Sequence, residues 1–183
     1  MAIIGNTKYA DRIAHHLAKY PDKRSAVMPL LYVAQDEYGW VNEAAIEEVA
    51  QLVDMDPTQV KSVAGFYTMY SEKPKGKYWL QVCADLACAL RGADEFHHDL
   101  LHELNIQEGG TTEDNLFTVE HVMCLGACDR APMLQCNFHF VEKPNGLTMN
   151  DMREFIAKAR SGEGDLNQLQ AEWRKMVTEY ANQ

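Results

Sequence analysis

Four cysteines in two short loops constrain this chain more than any other feature. Cys83 and Cys88 are spaced C-x4-C, and Cys124 and Cys128 are spaced C-x3-C. Each pair directly follows a strand-like run, at 78–82 and 116–122, and a helix-like segment at roughly 90–104 lies between the runs. A strand–helix–strand crossover within one sheet makes its two strands parallel. Parallel strands finish at the same edge of the sheet, where ligands of α/β proteins sit. The order of elements alone therefore predicts that all four thiols reach one place and form a cofactor site.

Thiolate is a soft ligand that suits iron–sulfur, zinc or Cu(I). A [2Fe–2S] cluster needs two ligands on each iron, so each loop can serve one iron, Cys83 with Cys88 and Cys124 with Cys128. Structural zinc also accepts such spacings, and two disulfides satisfy the same count. The C-x2-C of a thioredoxin-type redox motif is absent, and neither loop carries the histidines of a Rieske centre. Gly126 and Ala127 are small enough for backbone N–H groups to approach sulfur. Arg91 and Arg130 are placed to offset the charge of an anionic cluster or to sit on the surface, while Asp85 and Asp129 act in the opposite sense. Cys136, on a strand beside Leu134 and Phe138, reads as a small buried hydrophobe. His98 and His102, at i, i+4 on a helix, have metal-ligand spacing but no accompanying carboxylate motif, so they read as exposed.

Composition narrows the function classes. A net charge of −10 leaves no basic face for a phosphate backbone and argues against nucleic acid. No apolar run approaches the ~18 residues of a membrane span. The first residues lack a basic n-region followed by a long apolar stretch, so no secretory signal is expected. The expected compartment is a reducing cytoplasm, where cysteines more often bind metal than pair. No G-x-G-x-x-G or P-loop pattern suggests a nucleotide of the chain's own.

The chain divides by pattern into three parts. Residues 1–76 form an N-terminal helical bundle, with helices expected at 9–20, at 25–38 with Pro29 in its first turn and Gly39 as its stop, after Asn42, and after Asp56-Pro57-Thr58-Gln59. The polar turn 71–76 separates them from 77–160, which reads β-α-β-β-β-α, or β-α-β-β-α if the runs 133–138 and 140–142 are one bent strand. Gly109-Gly110 is the expected break after the crossover helix, and Thr148 the cap of the last helix. The fold class is α/β (α+β): a helical bundle followed by a small thioredoxin-like α/β sandwich. Residues 161–183 place Leu166, Leu169, Trp173, Met176, Val177 and Tyr180 at helical spacing, an amphipathic tail that folds back or docks on a partner.

Taken together, these residues resemble a known family. The runs Cys83-Ala-Asp-Leu-Ala-Cys88-Ala-Leu-Arg91-Gly92 and Cys124-Leu125-Gly126-Ala127-Cys128-Asp-Arg-Ala131-Pro132-Met133, with Met28-Pro29-Leu30-Leu31, Gly39-Trp40 and Ala64-Gly-Phe66-Tyr67, are similar to the 24 kDa subunit family of respiratory complex I, the NADH:quinone oxidoreductase. The resemblance covers roughly 10–160. It implies a thioredoxin-like ferredoxin domain whose one [2Fe–2S] cluster is held by Cys83, Cys88, Cys124 and Cys128. It implies a flavoprotein partner holding FMN, the NADH site and a [4Fe–4S] cluster, with other complex subunits beyond it. The 24 kDa member then takes one electron from the flavin, does not oxidise NADH alone, and meets the inner face of the membrane only through the complex. Related roles are the diaphorase subunit of an NAD-linked hydrogenase or formate dehydrogenase, and a stand-alone thioredoxin-like ferredoxin. Ala87 stands where many members have Pro, and 140–146 replaces a usually acidic run.

Overall fold

The computed structural model describes residues 2–162, and the amphipathic segment expected at 161–183 lies outside the described residues beyond Gly162. The chain divides into two compact units, Met1–Lys75 and a second beginning at Gly76.

The first unit is helical. Helices α1 (Thr7–Ala18), α2 (Val27–Tyr38), α3 (Glu43–Val53) and α4 (Pro57–Phe66) each bury one apolar stripe, and Tyr9, Ile13, Leu30, Leu31, Ile46, Val49, Val53 and Val60 share a core. Caps set the boundaries. Asn6, Asn42 and Asp56 each accept a backbone N–H of the first turn, and Pro57 opens α4 where no N–H is needed. The first helix begins earlier than its apolar pattern, because Asn6 caps it. Residues 23–26 form a 3₁₀ turn ahead of α2, which leaves Pro29 in that helix's first turn. The segment after α4 is tied back by polar bonds. The buried Gln35 side chain donates to the Met69 carbonyl at 3.1 Å and accepts from the Ser71 N–H at 2.7 Å, and the Tyr70 hydroxyl donates to the Met28 carbonyl at 2.9 Å.

The second unit is a four-stranded sheet with helices. Strands β1 (Tyr78–Cys83), β2 (Phe117–Val122), β3 (Leu134–Cys136) and β4 (His139–Val141) lie in the order β2-β1-β3-β4. β1 and β2 are parallel, in register from Tyr78↔Phe117 to Cys83↔Val122, and the other pairs are antiparallel. Tyr78, Leu80 and Val82 share a core with α6 (Ala93–Leu104) and α7 (Met149–Ser161), through Phe96, Leu100, Met152 and Phe155. Tyr78 stacks on Phe117, with Phe155 edge-on to both. The alternate β1 side chains are buried but polar in contact: the Trp79 indole N–H donates to Glu120 at 2.8 Å, and Gln135 donates to Gln81 at 2.6 Å.

The crossover differs from one continuous helix. It is split into a single turn, α5 (Leu86–Ala89), and α6, because Gly92 enters the left-handed region at φ 88°. Leu90, which opens the helix-like segment at 90–104, is 80% exposed, while Phe96 lies in the core. The helix stops at Asn105, φ 53°, before the glycine pair. The strand expected to reach Phe138 ends at Cys136, since Asn137 and Phe138 both take positive φ and make a two-residue turn into β4. Asn137 is held there by three bonds, its N–H to Trp79 O and its side chain to Trp79 N and Lys77 O.

Stability should respond sharply at two positions. Gly146 has φ 85°, and a Cβ there would collide with the Ala131 carbonyl and the Pro132 ring. Both strain and overlap oppose any side chain. Gly146→Ala is expected to destabilise the fold by about 2 kcal/mol or more, read as a lower urea midpoint with an unchanged slope. At α7, Thr148 and Asp151 form a reciprocal capping box, and Lys143 pairs with Asp151. Burial pushes the Asp151 carboxyl up, but the Lys143 ammonium and the Thr148 N–H and hydroxyl outweigh it and hold its pKa below the ordinary 3.8. A depressed folded pKa stabilises above the unfolded pKa, and that stability is lost as pH falls through the folded value. Asp151→Asn should therefore cost about 1 kcal/mol at pH 7, and the gap between the two proteins should close below pH ~4 in parallel denaturation curves.

Candidate metal centre

The parallel pairing of β1 and β2 sets the geometry. Cys83 is the last residue of β1, opposite Val122, the last of β2, and Cys124 follows two residues later. Cys83 donates its N–H to the Met133 carbonyl at 3.2 Å, and Ala84 donates to the Val122 carbonyl at 3.0 Å. These bonds join the first loop to both flanking segments. Asp85 caps α5 by accepting the Leu86 N–H at 2.8 Å, and that single turn carries Cys88 inward. The Arg91 guanidinium donates through Nε to the Ala131 carbonyl at 2.9 Å and fastens the first loop to the segment after Cys128. Cys83 and Cys88 are buried among Ala93, Ala127, Ala131 and Met133, while Cys124 and Cys128 are exposed.

The four thiols are within electrostatic reach of one another. Burial first, and then the neighbouring thiols of Cys83, Cys128 and Cys124, push the Cys88 pKa up to about 12. Contact with Cys124 first raises that of Cys128, with smaller contributions from Cys83 and Asp85. Sγ of Cys124 and Sγ of Cys128 lie 3.8 Å apart, and all five cysteines of the chain are free thiols. Two thiolates on one tetrahedral metal, with metal–sulfur bonds of ~2.3 Å, stand roughly 3.8 Å apart. Crowded thiols resist ionising together, and a bound cation reverses that by deprotonating them outright. The donor set and its spacing thus fit a thiolate-bound metal centre and do not by themselves choose iron–sulfur over zinc.

The other singled-out residues sort clearly. Arg91 is a staple between loops. Arg130 is paired with Glu142 and lies 3.4 Å from Asp129. Cys136 is fully buried in the sheet core, where burial raises its thiol pKa. His98 and His102 are exposed on α6. A different trio of ligand-type side chains, His97, Glu108 and His121, is brought together by α6, the loop after it and β2. No spacing motif links these three, and only the register of β2 beside the crossover helix makes them neighbours.

Comparison with known proteins gives the family to which the chain belongs. The description "thioredoxin-like [2Fe-2S] ferredoxin" matches residues 13–160. The chain is 48% identical over 129 residues to NADH-quinone oxidoreductase subunit 2 of Thermus thermophilus, covering 69% of this chain and 71% of that one. It is 40% identical over 154 residues to an NADH-quinone oxidoreductase subunit of Rickettsia prowazekii, covering 80% and 87%. Its fold is similar to that of a solved NAD+-reducing [NiFe]-hydrogenase chain, with a TM-score of 0.67 at 21% identity over 79% of this chain; it spans 24% of that hydrogenase chain. No helix among the described residues is long and apolar enough to cross a membrane. With a match that runs from within α1 into α7 and takes in both cysteine loops, the chain belongs to the thioredoxin-like [2Fe-2S] ferredoxin family.

Proposed function

We propose that this chain is a one-electron carrier, the electron-transfer subunit of the NADH dehydrogenase module of an NADH:quinone oxidoreductase. In this reading Cys83, Cys88, Cys124 and Cys128 hold one [2Fe–2S] cluster, with Cys83 and Cys88 on one iron and Cys124 and Cys128 on the other. Its partner is a flavoprotein subunit holding FMN, the NADH site and a [4Fe–4S] cluster, and the chain meets the inner face of the membrane only through the complex. The observation that carries the reading is the convergence of four free thiols at one end of the sheet in a member of this family. The names of the relatives favour the quinone oxidoreductase over a hydrogenase or formate dehydrogenase module.

The cluster, when bound, supplies reversible one-electron chemistry, and the chain's own residues make and break no bond. Their work is burial, charge and access. Cys83 and Cys88 sit where water is excluded, buried among three alanines and Met133. Cys124 and Cys128 face outward. Of the four large apolar side chains exposed among the described residues of this unit, Leu86, Leu90 and Met123 flank the cysteines at one or two residues' distance. Exposed apolar groups gathered at a redox site suit a protein partner that covers it. Asp85 lies close enough to raise the Cys128 pKa, so its negative charge opposes a further electron.

The direct test is to reduce the purified full-length chain and follow it by electron paramagnetic resonance, with iron and sulfide counted. A paramagnetic signal that appears only on reduction, with about two irons and two sulfides per chain, is the expected result. Cys124→Ser should lose or alter that spectrum, whereas a colourless zinc protein would sink the reading. The flavoprotein that co-purifies separates a quinone oxidoreductase from a hydrogenase module. A finer prediction concerns Asp85→Asn, which keeps the helix cap and removes the charge. Its midpoint potential should rise in a redox titration. Asp129→Asn should move it less, because Asp129 is largely exposed and beside Arg130.

A further inference from the structure

We propose that His97, Glu108 and His121 form a second, separate metal site, one that takes a single zinc-class divalent cation through two imidazoles and a carboxylate. Their ligand atoms lie within 4.8 Å of one another. Oε2 of Glu108 is 2.9 Å from Nε2 of His97 and 3.6 Å from Nδ1 of His121. On tetrahedral zinc, with bonds of ~2.0–2.2 Å, two nitrogen or oxygen ligands stand roughly 3.3–3.5 Å apart. The trio is therefore near the required spacing before any ion enters.

Two features mark the trio as more than an accidental contact. His97 is 5% exposed, and its Nε2 is buried 2.9 Å from Glu108 Oε2 without a hydrogen bond of normal geometry to it. A buried ring nitrogen left unsatisfied costs about 1–3 kcal/mol, and a cation between it and Glu108 would satisfy it. The carboxylate is also preset. Oε1 of Glu108 accepts the His121 backbone N–H at 2.8 Å, which turns Oε2 toward both imidazoles. The loop that carries Glu108 is itself fixed to β2, where Gly109 donates to the Val119 carbonyl at 2.9 Å. The two rings stack with centroids 3.9 Å apart, and burial followed by the neighbouring His121 lowers the pKa of His97, outweighing the opposite pull of Glu108 and Asp94. Both effects keep the imidazole neutral, which is its ligand form. The His121 side chain is roughly half-exposed (46%), so its ring can close the remaining gap while His97 and the Glu108 carboxylate stay fixed.

The donor chemistry selects the ion. Magnesium and calcium take oxygen shells, whereas two nitrogens and one carboxylate suit zinc and its neighbours. Three protein ligands leave a fourth position for water. Bound there, the ion would clip α6, the following loop and β2 together, three residues before Cys124. The proposal does not depend on what the cysteines hold.

The test uses the full-length chain, stripped of loosely held metal and dialysed against a series of free zinc concentrations, with bound zinc counted. Wild type is compared with Glu108→Gln, His121→Gln and the double variant. These positions are half-exposed, and Gln at 108 still accepts the His121 N–H, so the fold is retained. The difference between wild type and the double variant counts zinc at this site alone, whatever occupies the cysteine loops. We expect a difference of one zinc per chain, with each single variant binding at least the ~10–100-fold more weakly that follows loss of even an outer-sphere partner. Zinc should also raise the melting temperature of wild type and not of the double variant. Equal zinc in wild type and double variant would overturn the proposal, as would a melting temperature that zinc raises equally in both.

Discussion

The parallel pairing of β1 with β2 is the constraint on which the rest of the second unit depends. Six residue pairs in register carry Cys83 to the same level as Val122. Both cysteine loops leave the sheet at that end because neither strand can finish elsewhere without moving its apolar side chains to the wrong face. Tyr78, Leu80, Phe117 and Val119 hold the register by their burial in one core. The loops themselves need little intrinsic stability. They are fixed by a few bonds at their margins, from Cys83 and Ala84 to neighbouring carbonyls and from Arg91 to Ala131.

The cysteine environment makes ionising its thiols costly at two positions. Burial first, and then the neighbouring thiols, raise the pKa of Cys88, and contact with Cys124 raises that of Cys128. Both shifts favour the neutral thiol at these two positions, and a cation placed there would reverse them. The same logic runs at His97, where a buried imidazole with a lowered pKa stands 2.9 Å from a carboxylate without a hydrogen bond of normal geometry to it. In both places the fold gives up stability on groups that a cation would satisfy, which is where sites depart from the rules of packing.

Most elements were legible in the sequence because their signals are local. Asn42, Asp56-Pro57, Gly39 and Thr148 are terminal signals, and each sits where its helix starts or stops. The cysteine loops were legible because spacing and strand order are both one-dimensional facts. The misses share the opposite cause. Leu90 has the spacing of a buried helix residue, but Gly92 breaks the helix ahead of it and turns it outward. Phe138 looks like a strand residue, yet it sits at φ 66° with its ring against Trp79, held in place by Asn137 and its bonds to β1. Arg91 gave no sign of its staple, because Ala131 is its neighbour only in three dimensions.

The exposed apolar residues follow from this same split crossover. A continuous helix from Leu86 would have swept Leu90 onto the sheet and left Cys88 on a regular helical face. Ending the first turn at Ala89 and restarting at Ala93 lets Cys88 point into the small core beside Cys83 while Leu86 and Leu90 face out. Burying a leucine is worth roughly 1.5–3 kcal/mol, so exposing two of them beside the thiols is a real cost to the isolated chain. That cost is recovered when another surface covers them. The break that positions a cysteine is thus also what creates the apolar rim around it, so a single local irregularity sets both the burial of Cys88 and the exposure of its neighbours.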